Sequence, residues 1–556
     1  MESRSTLIKD NEKCINAMKL LRIILVLTVT ATVLLSSCRR ASTPADQAIK
    51  DKTLLLGNGS EPQDLDPQVC TALADYNILI SLFEGLTCID EKTSQAVPGV
   101  ADTWSCSSDG RIYTFHIRDN ARWSNGEPLT SNDFVYSVKR ALTPELACEY
   151  SYLLFPVLNA EAFNTGQLKD FSKVGIKAVN AHTLQITLGY PCPYLPTLVA
   201  HQVWYPVHEK TLTRFNAFNK RGTAWTKPEN FVGNGPFILK SWVPNSRIVV
   251  TQNPNYWDNS HSHLNAVVFY PNDNIATDES NFRSGQLHIT WDLLPERILH
   301  YQKNNPTLLR VDPLSDSSFL RFNVTKKPLN DRRVRQALSL AIDREAIARD
   351  VLYNSRTPAY ALTPLNTGGY NPKPEAVTNI GLAKKLLAEA GYPEGKNFPV
   401  LELQMNTDAI NTKIFEAIQE MWRNNLGIKI NLANLDFRIW LDNQRTLNYQ
   451  ISRSRWVGDF DDPSTYIDLF LSDSGNNRTG WVDPEFDKLD KIANETLDPK
   501  KRFELLQKAE SRLLYEAPIA PVFYGTRTYL INPAVHGWES SLLGIHRYQY
   551  IELVAP

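Results

Sequence analysis

The segment RIYTFHIRDNARWSNGEPLTSNDFVYSVKRAL (residues 111–142) contains two different hydrophobic periods, one after the other. Its first part, RIYTFHIRDNARW (111–123), alternates in the manner of a strand that is buried on one face. Its second part, SNDFVYSVKRAL (131–142), begins with a Ser or Asn cap and carries apolar residues at helical spacing. A strand that leads into a helix predicts mixed α/β architecture.

The alternation of strands and helices continues along the chain. Residues 233–254 have the pattern of a hairpin whose strands are joined by Val-Pro-Asn. Residues 330–353 predict one amphipathic helix, and residues 381–392 predict another that ends at Gly391. Residues 501–525 predict a helix that leads into a strand containing prolines. The mixture predicts an α/β protein with several lobes.

The overall composition excludes some partners. The 556 residues are 42% hydrophobic and 21% charged, which is ordinary for a globular chain. The formal net charge is -1, so no global field attracts the chain to nucleic acid or to an anionic membrane. We therefore expect no nucleic-acid partner.

The N-terminal region has the features of an export signal. Lys19 and Arg22 precede an apolar run over residues 23–35. This run is shorter than the roughly 18 residues that a spanning helix needs, so it predicts a secretory signal. Residues before Met18 add little to such a signal, which leaves Met1 and Met18 as candidate start positions.

The signal ends in Leu35-Ser36-Ser37-Cys38, which resembles a bacterial lipobox. This resemblance implies that residues 1–37 are removed and that Cys38 is lipidated and becomes the mature N-terminus. The alternative is cleavage elsewhere, with Cys38 a thiol that lies there by chance. Residues 38–50, which include most of the polar ASTPADQAIKDK (41–52), are predicted to be a tether.

Neither the cysteines nor the sequence motifs indicate an enzyme, a metal site or a cofactor. Five cysteines follow Cys38, all before residue 193, and they allow at most two disulfides whose pairing stays open. Cys-x-x-Cys and paired histidine spacings are missing, as are nucleotide-binding loops, nucleophile elbows and His-Glu-x-x-His. Residues 459–462 resemble a calcium loop poorly, because Phe470 stands where such a loop needs Glu.

One segment, RSRWVGDFDDP (453–463), places three acids after a tryptophan and two arginines. It could be a solvated charge run, a metal loop, a catalytic carboxylate pair or a binding site for a charged ligand. Asp462, followed by Pro463, is predicted to cap a helix. Asp461 is predicted to be solvated.

A set of motifs, in order along the chain, resembles the extracytoplasmic solute-binding proteins of peptide ABC importers. The motifs are EPQDLDP (61–67), LFEGL (82–86), VPGVADTW (97–104), residues 113–140, NGPFILKSW (234–242), NPNYWD (253–258) and RVRQALSLAIDRE (333–345). Within this family the chain resembles the oligopeptide-binding branch at SYLLF (151–155), GIKAVNAHTLQITL (175–188), LSDSGNNRTG (471–480) and residues 453–463.

The resemblance implies an α/β fold with two lobes hinged around a buried cleft, the type II arrangement of periplasmic binding proteins. It implies these boundaries: a first lobe of residues 51–83, 209–315 and 527–556, an extra domain of residues 84–208 on that lobe, and a second lobe of residues 316–526. Strands are expected to cross between the lobes near residues 315 and 526.

The resemblance also implies how a peptide would be held. An extended peptide offers backbone groups, an α-ammonium and a carboxylate. Thr71 to Leu73 and the backbone from Arg455 to Val457 would enclose it as added strands. Asp459 would pair with the α-ammonium; otherwise it is a turn acid that makes local bonds.

Other positions are implied less directly by the same resemblance. Trp456 and Phe437 would line side-chain pockets, unless Trp456 belongs to the core. Arg453 matches an arginine for the peptide carboxylate, and Arg445 lies one residue from a second, where this chain has Gln444. Both arginines could instead lie on the surface.

Two further positions depart from the family pattern. Tyr150 matches a cleft tyrosine only with a shift of one residue, and Glu149 is the ungapped match. Arg455 replaces a glycine and would either point outward or intrude on the cleft, where it could favour acidic or shorter peptides.

The function implied is that of a monomeric lipoprotein in the bacterial periplasm or at the cell surface. It would be anchored to a membrane through Cys38, capture oligopeptides and deliver them to ABC permease subunits with separate ATPase subunits. Alternatives are binders of dipeptides, murein peptides or nickel chelates, or a lipoprotein for sensing or adhesion.

Overall fold

A computed structural model of the chain describes residues 17–18, 42–406 and 409–555, apart from the side chains of residues 409, 437 and 438. The predicted signal and Cys38 lie outside the described residues, except for residues 17 and 18. Among the described residues, no helix combines the length and apolar character that crossing a bilayer requires.

The α-helices are distributed over the whole described chain. They are α1 (Pro44–Lys50), α2 (Leu73–Leu82), α3 (Ser131–Leu142), α4 (Ala160–Asn164), α5 (Leu195–Leu198), α6 (Glu209–Arg214), α7 (Ile275–Arg283), α8 (Pro295–Asn304), α9 (Arg332–Leu340), α10 (Arg344–Ala346), α11 (Ile380–Glu389), α12 (Ala409–Leu426), α13 (Phe437–Arg445), α14 (Ser464–Ile467), α15 (Pro484–Asn494) and α16 (Pro499–Glu516).

The strands alternate with these helices. They are β1 (Thr53–Gly57), β2 (Thr87–Ile89), β3 (Ala96–Pro98), β4 (Ala101–Cys106), β5 (Ile112–Ile117), β6 (Ile176–Asn180), β7 (Thr183–Thr187), β8 (Phe237–Val243), β9 (Arg247–Gln252), β10 (Ala266–Tyr270), β11 (Leu309–Phe322), β12 (Thr357–Pro358), β13 (Leu401–Asn406), β14 (Ile430–Leu435), β15 (Ile451–Val457), β16 (Ile519–Leu530), β17 (Val535–His536) and β18 (Glu552–Leu553).

The segment at residues 111–142 folds as a strand and a helix, as its periods predict. β5 occupies its first part and α3 its second. The helix cap, however, is Thr130 rather than a Ser or Asn, because Thr130 and Asp133 form a reciprocal capping box. The predicted hairpin is also present, since β8 and β9 pair antiparallel.

Three larger sheets organise the molecule. One has the order β1-β10-β9-β8, a second has β4-β5-β7-β6, and the third has β12-β16-β11-β15-β13-β14. Short pairs β2-β3 and β17-β18 complete the set.

The sheets and helices enclose four main hydrophobic cores. Core A draws on residues 49–83, 205–289 and 529–553, and core B on residues 86–204 together with Phe460. Cores C and D draw on residues 320–522 and 319–519. Segments that are distant in sequence therefore share core A, whereas cores C and D use one continuous stretch.

Two long antiparallel strands connect these cores. β11 and β16 pair from Leu309 with Leu530 to Arg321 with Ile519, and the register shifts between Pro313 and Ser317. At one end Tyr529 lies in core A, and at the other Ala520 lies in core C. A pair of strands whose register shifts at its midpoint is a suitable hinge, because few backbone hydrogen bonds need to change there.

Two predictions about local structure are wrong. Part of the predicted tether is α1, which starts from a Thr43–Asp46 capping box and buries Ala45, Ala48 and Ile49. The single helix predicted over residues 330–353 is interrupted after α9, because Asp343 caps a new helix at Ala346. In both places the hydrogen bonds of a helix cap determine where a helix begins, and the composition of the segment does not.

The cysteines after Cys38 form no disulfide in the structure. Each is a free thiol: Cys70, Cys88, Cys106, Cys148 and Cys192. No disulfide among the described residues therefore ties the part of the chain before residue 193 to the part after it.

Candidate functional site

A cavity of about 670 Å³, which we call the cleft, lies beside β15. One side is formed by Leu73, Ile275 and Trp291, and the other by residues 453–457 of β15. Its volume lies within the range of known ligand sites, roughly 300–1,000 Å³. The cleft thus lies between the part of the chain that builds core A and the part that builds cores C and D.

β15 presents an unpaired edge to the cleft. On one side it pairs with β11 along its whole length, from Ile451 to Val457. On its other side the described residues of β13 pair only with Ile451 and Ser452. Beyond Arg453, whose carbonyl accepts a hydrogen bond from Gln444, this edge has no strand partner among the described residues and can accept an added strand, which binds without regard to side chains.

Asp459 lies just beyond the end of β15 and carries a perturbed carboxyl group. Tyr152 donates a hydrogen bond of 2.7 Å to Asp459 Oδ2. Burial raises the pKa of Asp459 to about 6, although the hydrogen bond from Tyr152 offsets part of that effect. A cation that enters the site would therefore stabilise the charged form of Asp459.

A smaller cavity of about 130 Å³, the end pocket, adjoins Asp459. Tyr152, Tyr190 and Tyr194 line it, and Trp456 lines both this pocket and the cleft. Trp456 is half-buried, and its Nε1 atom has no hydrogen-bond partner among the described residues. This buried donor lies at the junction of the two cavities.

The two sides of the molecule touch at the end pocket. The rings of Tyr194 and Phe460 stack with centroids 5.1 Å apart, and the Arg502 guanidinium lies 5.3 Å from the Tyr194 ring. Phe460 packs into core B, which is otherwise built from residues 86–204. The hydrogen bond from Tyr152 to Asp459 crosses the same boundary.

Arg453 lines the cleft at the far end of the free edge. Its Nη1 atom donates a 3.0 Å hydrogen bond to Asn406 Oδ1, and its guanidinium lies 5.4 Å from the Trp440 ring. Trp440 was not predicted, although it lies on the same helix as Phe437 at the spacing of one turn. The side chain of Phe437 lies outside the described residues.

Arg455 lines the cleft, but its charge is balanced by an ion pair. It forms a bidentate ion pair with Asp316 on the neighbouring strand, with nitrogen–oxygen distances of 2.7 and 2.9 Å. Gly525 makes room for this pair, since a Cβ at that position would lie 1.9 Å from Asp316 Oδ2. Asp316 and Gly525 were not predicted, because only the folded strands bring them together.

Two of the predicted cleft residues lie elsewhere. Tyr150 donates to Thr71 O and packs against His201, and it is absent from the linings of the cleft and the end pocket. Tyr152 contacts Asp459 instead. Arg445 is exposed, and Gln444 takes the place in the cleft, because successive helical residues point about 100° apart.

The extended stretch predicted at Thr71–Leu73 is shorter in the structure. Ala72 has extended backbone angles, but Leu73 is the first residue of α2. Leu73 still lines the cleft, as does Val457, and both side chains are 39% exposed. Backbone N–H groups at the start of a helix lack partners within it and can meet a ligand.

The remaining acids of the 453–463 segment are structural. Asp461 is buried rather than solvated: it accepts a 2.7 Å hydrogen bond from the backbone N–H of Gly368, and burial raises its pKa to about 6. Asp462 accepts a 3.0 Å hydrogen bond from the backbone N–H of Ser464, although the N-cap of α14 is Pro463, and it forms a buried ion pair with Arg502. Within the described chain, no group of three or more His, Cys, Asp or Glu side chains is arranged to hold a metal ion.

Taken together, two lobes, two crossing strands and a cleft with a free strand edge define a two-lobed α/β solute-binding protein. The family model "Bacterial extracellular solute-binding proteins, family 5 Middle" matches residues 95–478. The chain belongs to this family.

Named relatives cover almost the whole chain. The periplasmic oligopeptide-binding protein OppA of Salmonella typhimurium is 37% identical over 520 residues, which are 92% of this chain and 94% of that protein. The murein tripeptide binding protein MppA of Escherichia coli has a solved structure with a TM-score of 0.80 and 33% identity, covering 91% of this chain and 99% of that one. The OppA of Haemophilus influenzae in complex with RPPGFSPFR has a TM-score of 0.79 and 29% identity, with the same coverage.

Proposed function

We propose that this protein captures extended oligopeptides in the cleft and delivers them to the permease of an ABC transporter. The observation that carries the proposal is the position of Asp459 at the end of the free edge of β15. A peptide that pairs with this edge brings its α-ammonium to the carboxyl group of Asp459. The relatives named for oligopeptide binding match 92% and 91% of this chain, which supports the same cargo here.

The proposed site divides the work among a few side chains. Asp459 binds the α-ammonium, Trp456 and Val457 contact the first side chains, and Arg453 meets the terminal carboxylate. The backbone of Arg455 pairs with the peptide, and its side chain is kept in place by Asp316. The protein itself hydrolyses nothing, so transport energy comes from separate ATPase subunits.

The division of the chain into lobes is part of the proposal. The first lobe combines residues 51–83, 209–315 and 527–556, the extra domain spans 84–208, and the second lobe spans 316–526. The membership of cores A to D supports this division, although Tyr205 and Val207, inside the proposed extra domain, pack in core A. Closure of the lobes around the ligand would shield the ion pair at Asp459 from water, which strengthens it.

The anchoring of the protein is a separate proposal. The lipobox at residues 35–38 supports lipidation of Cys38 and a location outside the cytoplasm, in a monomer held at a membrane surface. Because α1 starts at Pro44, only residues 39–43 would separate the lipid from the folded part, a reach of about 18 Å. Replacement of Cys38 by Ser should release the protein from the membrane fraction, and continued detergent-dependent extraction would contradict this.

Mass spectrometry of ligands that copurify with the protein tests the proposed cargo. Denaturation of the purified protein should release peptides of several lengths. Recovery of metal chelates or sugars alone would contradict peptide capture.

A further inference from the structure

The charged residues of the cleft lining are unbalanced. The lining contains six arginines and two aspartates: Arg321, Arg356, Arg453, Arg455, Arg478 and Arg527, with Asp292 and Asp316. The formal net charge of the whole chain is -1, so the positive excess is local to the cleft. Partly buried cations are costly unless anions accompany them, so this excess favours an anionic ligand.

Several of these arginines, Arg321, Arg356 and Arg478 among them, donate hydrogen bonds only to neutral groups among the described residues. Arg356 lies near Asp292 and Asp316, so Arg321 and Arg478 are the stronger candidates for contact with an anionic ligand.

Arg321 is 3% exposed and donates to Ser454 Oγ at 2.9 Å and to Asn476 O at 2.7 Å. Its guanidinium carbon also lies 5.5 Å from the centroid of the Phe319 ring and 5.8 Å from that of the Phe470 ring. Burial lowers its pKa to about 10, which leaves it charged at neutral pH.

Arg478 is the second of these cations. Its Nη2 atom lies 3.4 Å from Asn476 Oδ1, and its buried Nε atom has no hydrogen-bond partner in the described part of the chain. Burial lowers its pKa, and so does the nearby Arg445. Asn476 thus contacts both Arg321 and Arg478. We call these two arginines the Arg321–Arg478 pair.

The pair lies on one particular face of β15. Side chains alternate along a strand, so Ser454 and Trp456 point to one face and Arg453 and Arg455 to the other. The bond from Arg321 to Ser454 places the pair on the face of Trp456. Arg453 and the Arg455–Asp316 ion pair occupy the opposite face.

A peptide strand added to the edge of β15 continues this alternation. Its first residue, at Asp459, would place its side chain in the end pocket, which Trp456 and Asn476 line. The third side chain then points to the same face, roughly 7 Å further along. The third side chain would therefore lie beyond the end pocket, on the cleft side of Asn476, next to the Arg321–Arg478 pair.

From this arrangement we infer that the cleft selects peptides with an acidic side chain at the third position, bound by the Arg321–Arg478 pair. The inference rests on the proposed function and makes it more specific. The terminal carboxylate carries one negative charge and is met by Arg453 on the other face, so it leaves the pair without an anion. An acidic third side chain supplies one.

Calorimetry with two tetrapeptides tests the inference: Ala-Ala-Glu-Ala and its isostere Ala-Ala-Gln-Ala. The unmodified protein should bind the Glu peptide about tenfold or more tightly than the Gln peptide, as expected for a charge-assisted hydrogen bond. Arg478→Gln should reduce this ratio to near one, and Arg478→Lys, which keeps the charge, should retain part of it.

Arg445→Gln is the matched control, because it removes the same charge near Arg478 but outside the cleft lining. This variant should keep the full preference for the Glu peptide. Equal affinities of the unmodified protein for the two peptides, or an equal loss of preference in both Gln variants, would overturn the inference. Binding of the Gln peptide alone would leave peptide capture intact, whereas failure of both peptides to bind would contradict the proposed function as well.

Discussion

At the scale of single residues, Asp459 is the group on which the proposed site depends most. It is a carboxyl group with a raised pKa, one hydrogen-bond donor in Tyr152 and a free strand edge beside it. Such a group gains more from an ammonium partner than a solvated carboxylate does, because the partner also relieves the cost of burial.

The raised pKa leads to a prediction about pH. Asp459 must be ionised to bind an α-ammonium, and with a pKa of about 6 it is mostly protonated at pH 5. The affinity for a peptide with a free amino group should therefore fall about tenfold between pH 7.5 and pH 5. Calorimetry at both pH values measures this change.

An N-acetylated form of the same peptide serves as the control for the pH dependence. It has no ammonium group, so the ionisation of Asp459 should not strengthen its binding. Equal affinity of the free peptide at pH 7.5 and pH 5 would show that Asp459 does not carry this interaction.

Sequence reasoning at this scale finds the residues of one segment and misses their distant partners. Trp456, Val457 and Arg453 are neighbours on one strand, and all three line the cleft. Tyr152 lies 307 positions from Asp459, and no local pattern indicates that contact.

At the scale of elements, the wall of the cleft depends on close packing between β15, β11 and β16. The Asp316 carboxylate on β11 occupies the space where a side chain at Gly525 of β16 would begin. The same carboxylate holds Arg455 of β15 in place. A change in one of these strands therefore affects the other two.

Gly525→Ala tests this packing. The added Cβ would lie 1.9 Å from Asp316 Oδ2, so the strands must shift, and we expect a loss of about 1–3 kcal/mol in the free energy of unfolding. Gly475→Ala is the matched control, because no atom lies within 4 Å of its added Cβ. Chemical denaturation of both variants measures the difference, and equal stability would contradict the role of Gly525.

Sequence patterns predict most elements at this scale but not their ends. The strand and helix at residues 111–142 follow from their periods, and so does the hairpin of β8 and β9. Residues 330–353 show the limit, because the apolar spacing continues through Asp343 while its side chain caps a new helix. Periodicity reports burial, whereas the ends of helices depend on individual hydrogen bonds.

At the scale of the whole molecule, the contacts near the end pocket connect two bodies that the long strands otherwise join. Tyr194 and Phe460 stack across the boundary, and Tyr152 donates to Asp459 beside them. We expect these contacts to stabilise an arrangement in which the cleft is covered. They do so regardless of which peptide is bound.

Phe460→Ala should therefore weaken all peptides alike. Loss of the stacked ring removes packing that the closed arrangement requires, and we expect free and N-acetylated peptides to bind about tenfold more weakly. Tyr515→Ala, which removes an aromatic side chain 54% exposed on the same lobe, should change neither affinity. A loss confined to the free peptide would contradict a role in closure.

The fold class is predictable from the sequence because motifs spread over the whole chain resemble one family. The two-lobed fold and the family are confirmed by the structure and its relatives. The contacts between lobes are not predictable in this way, because they join residues such as Tyr194 and Phe460 that belong to different motifs.

The central claim is that Asp459 holds the α-ammonium of a peptide in the cleft. The most direct measurement is calorimetry of one peptide, with a free and an acetylated amino group, on the unmodified protein and on Asp459→Ala. Acetylation should weaken binding to the unmodified protein by roughly 30-fold or more and make no difference to the variant. Equal binding of the two peptides by the unmodified protein would contradict the claim.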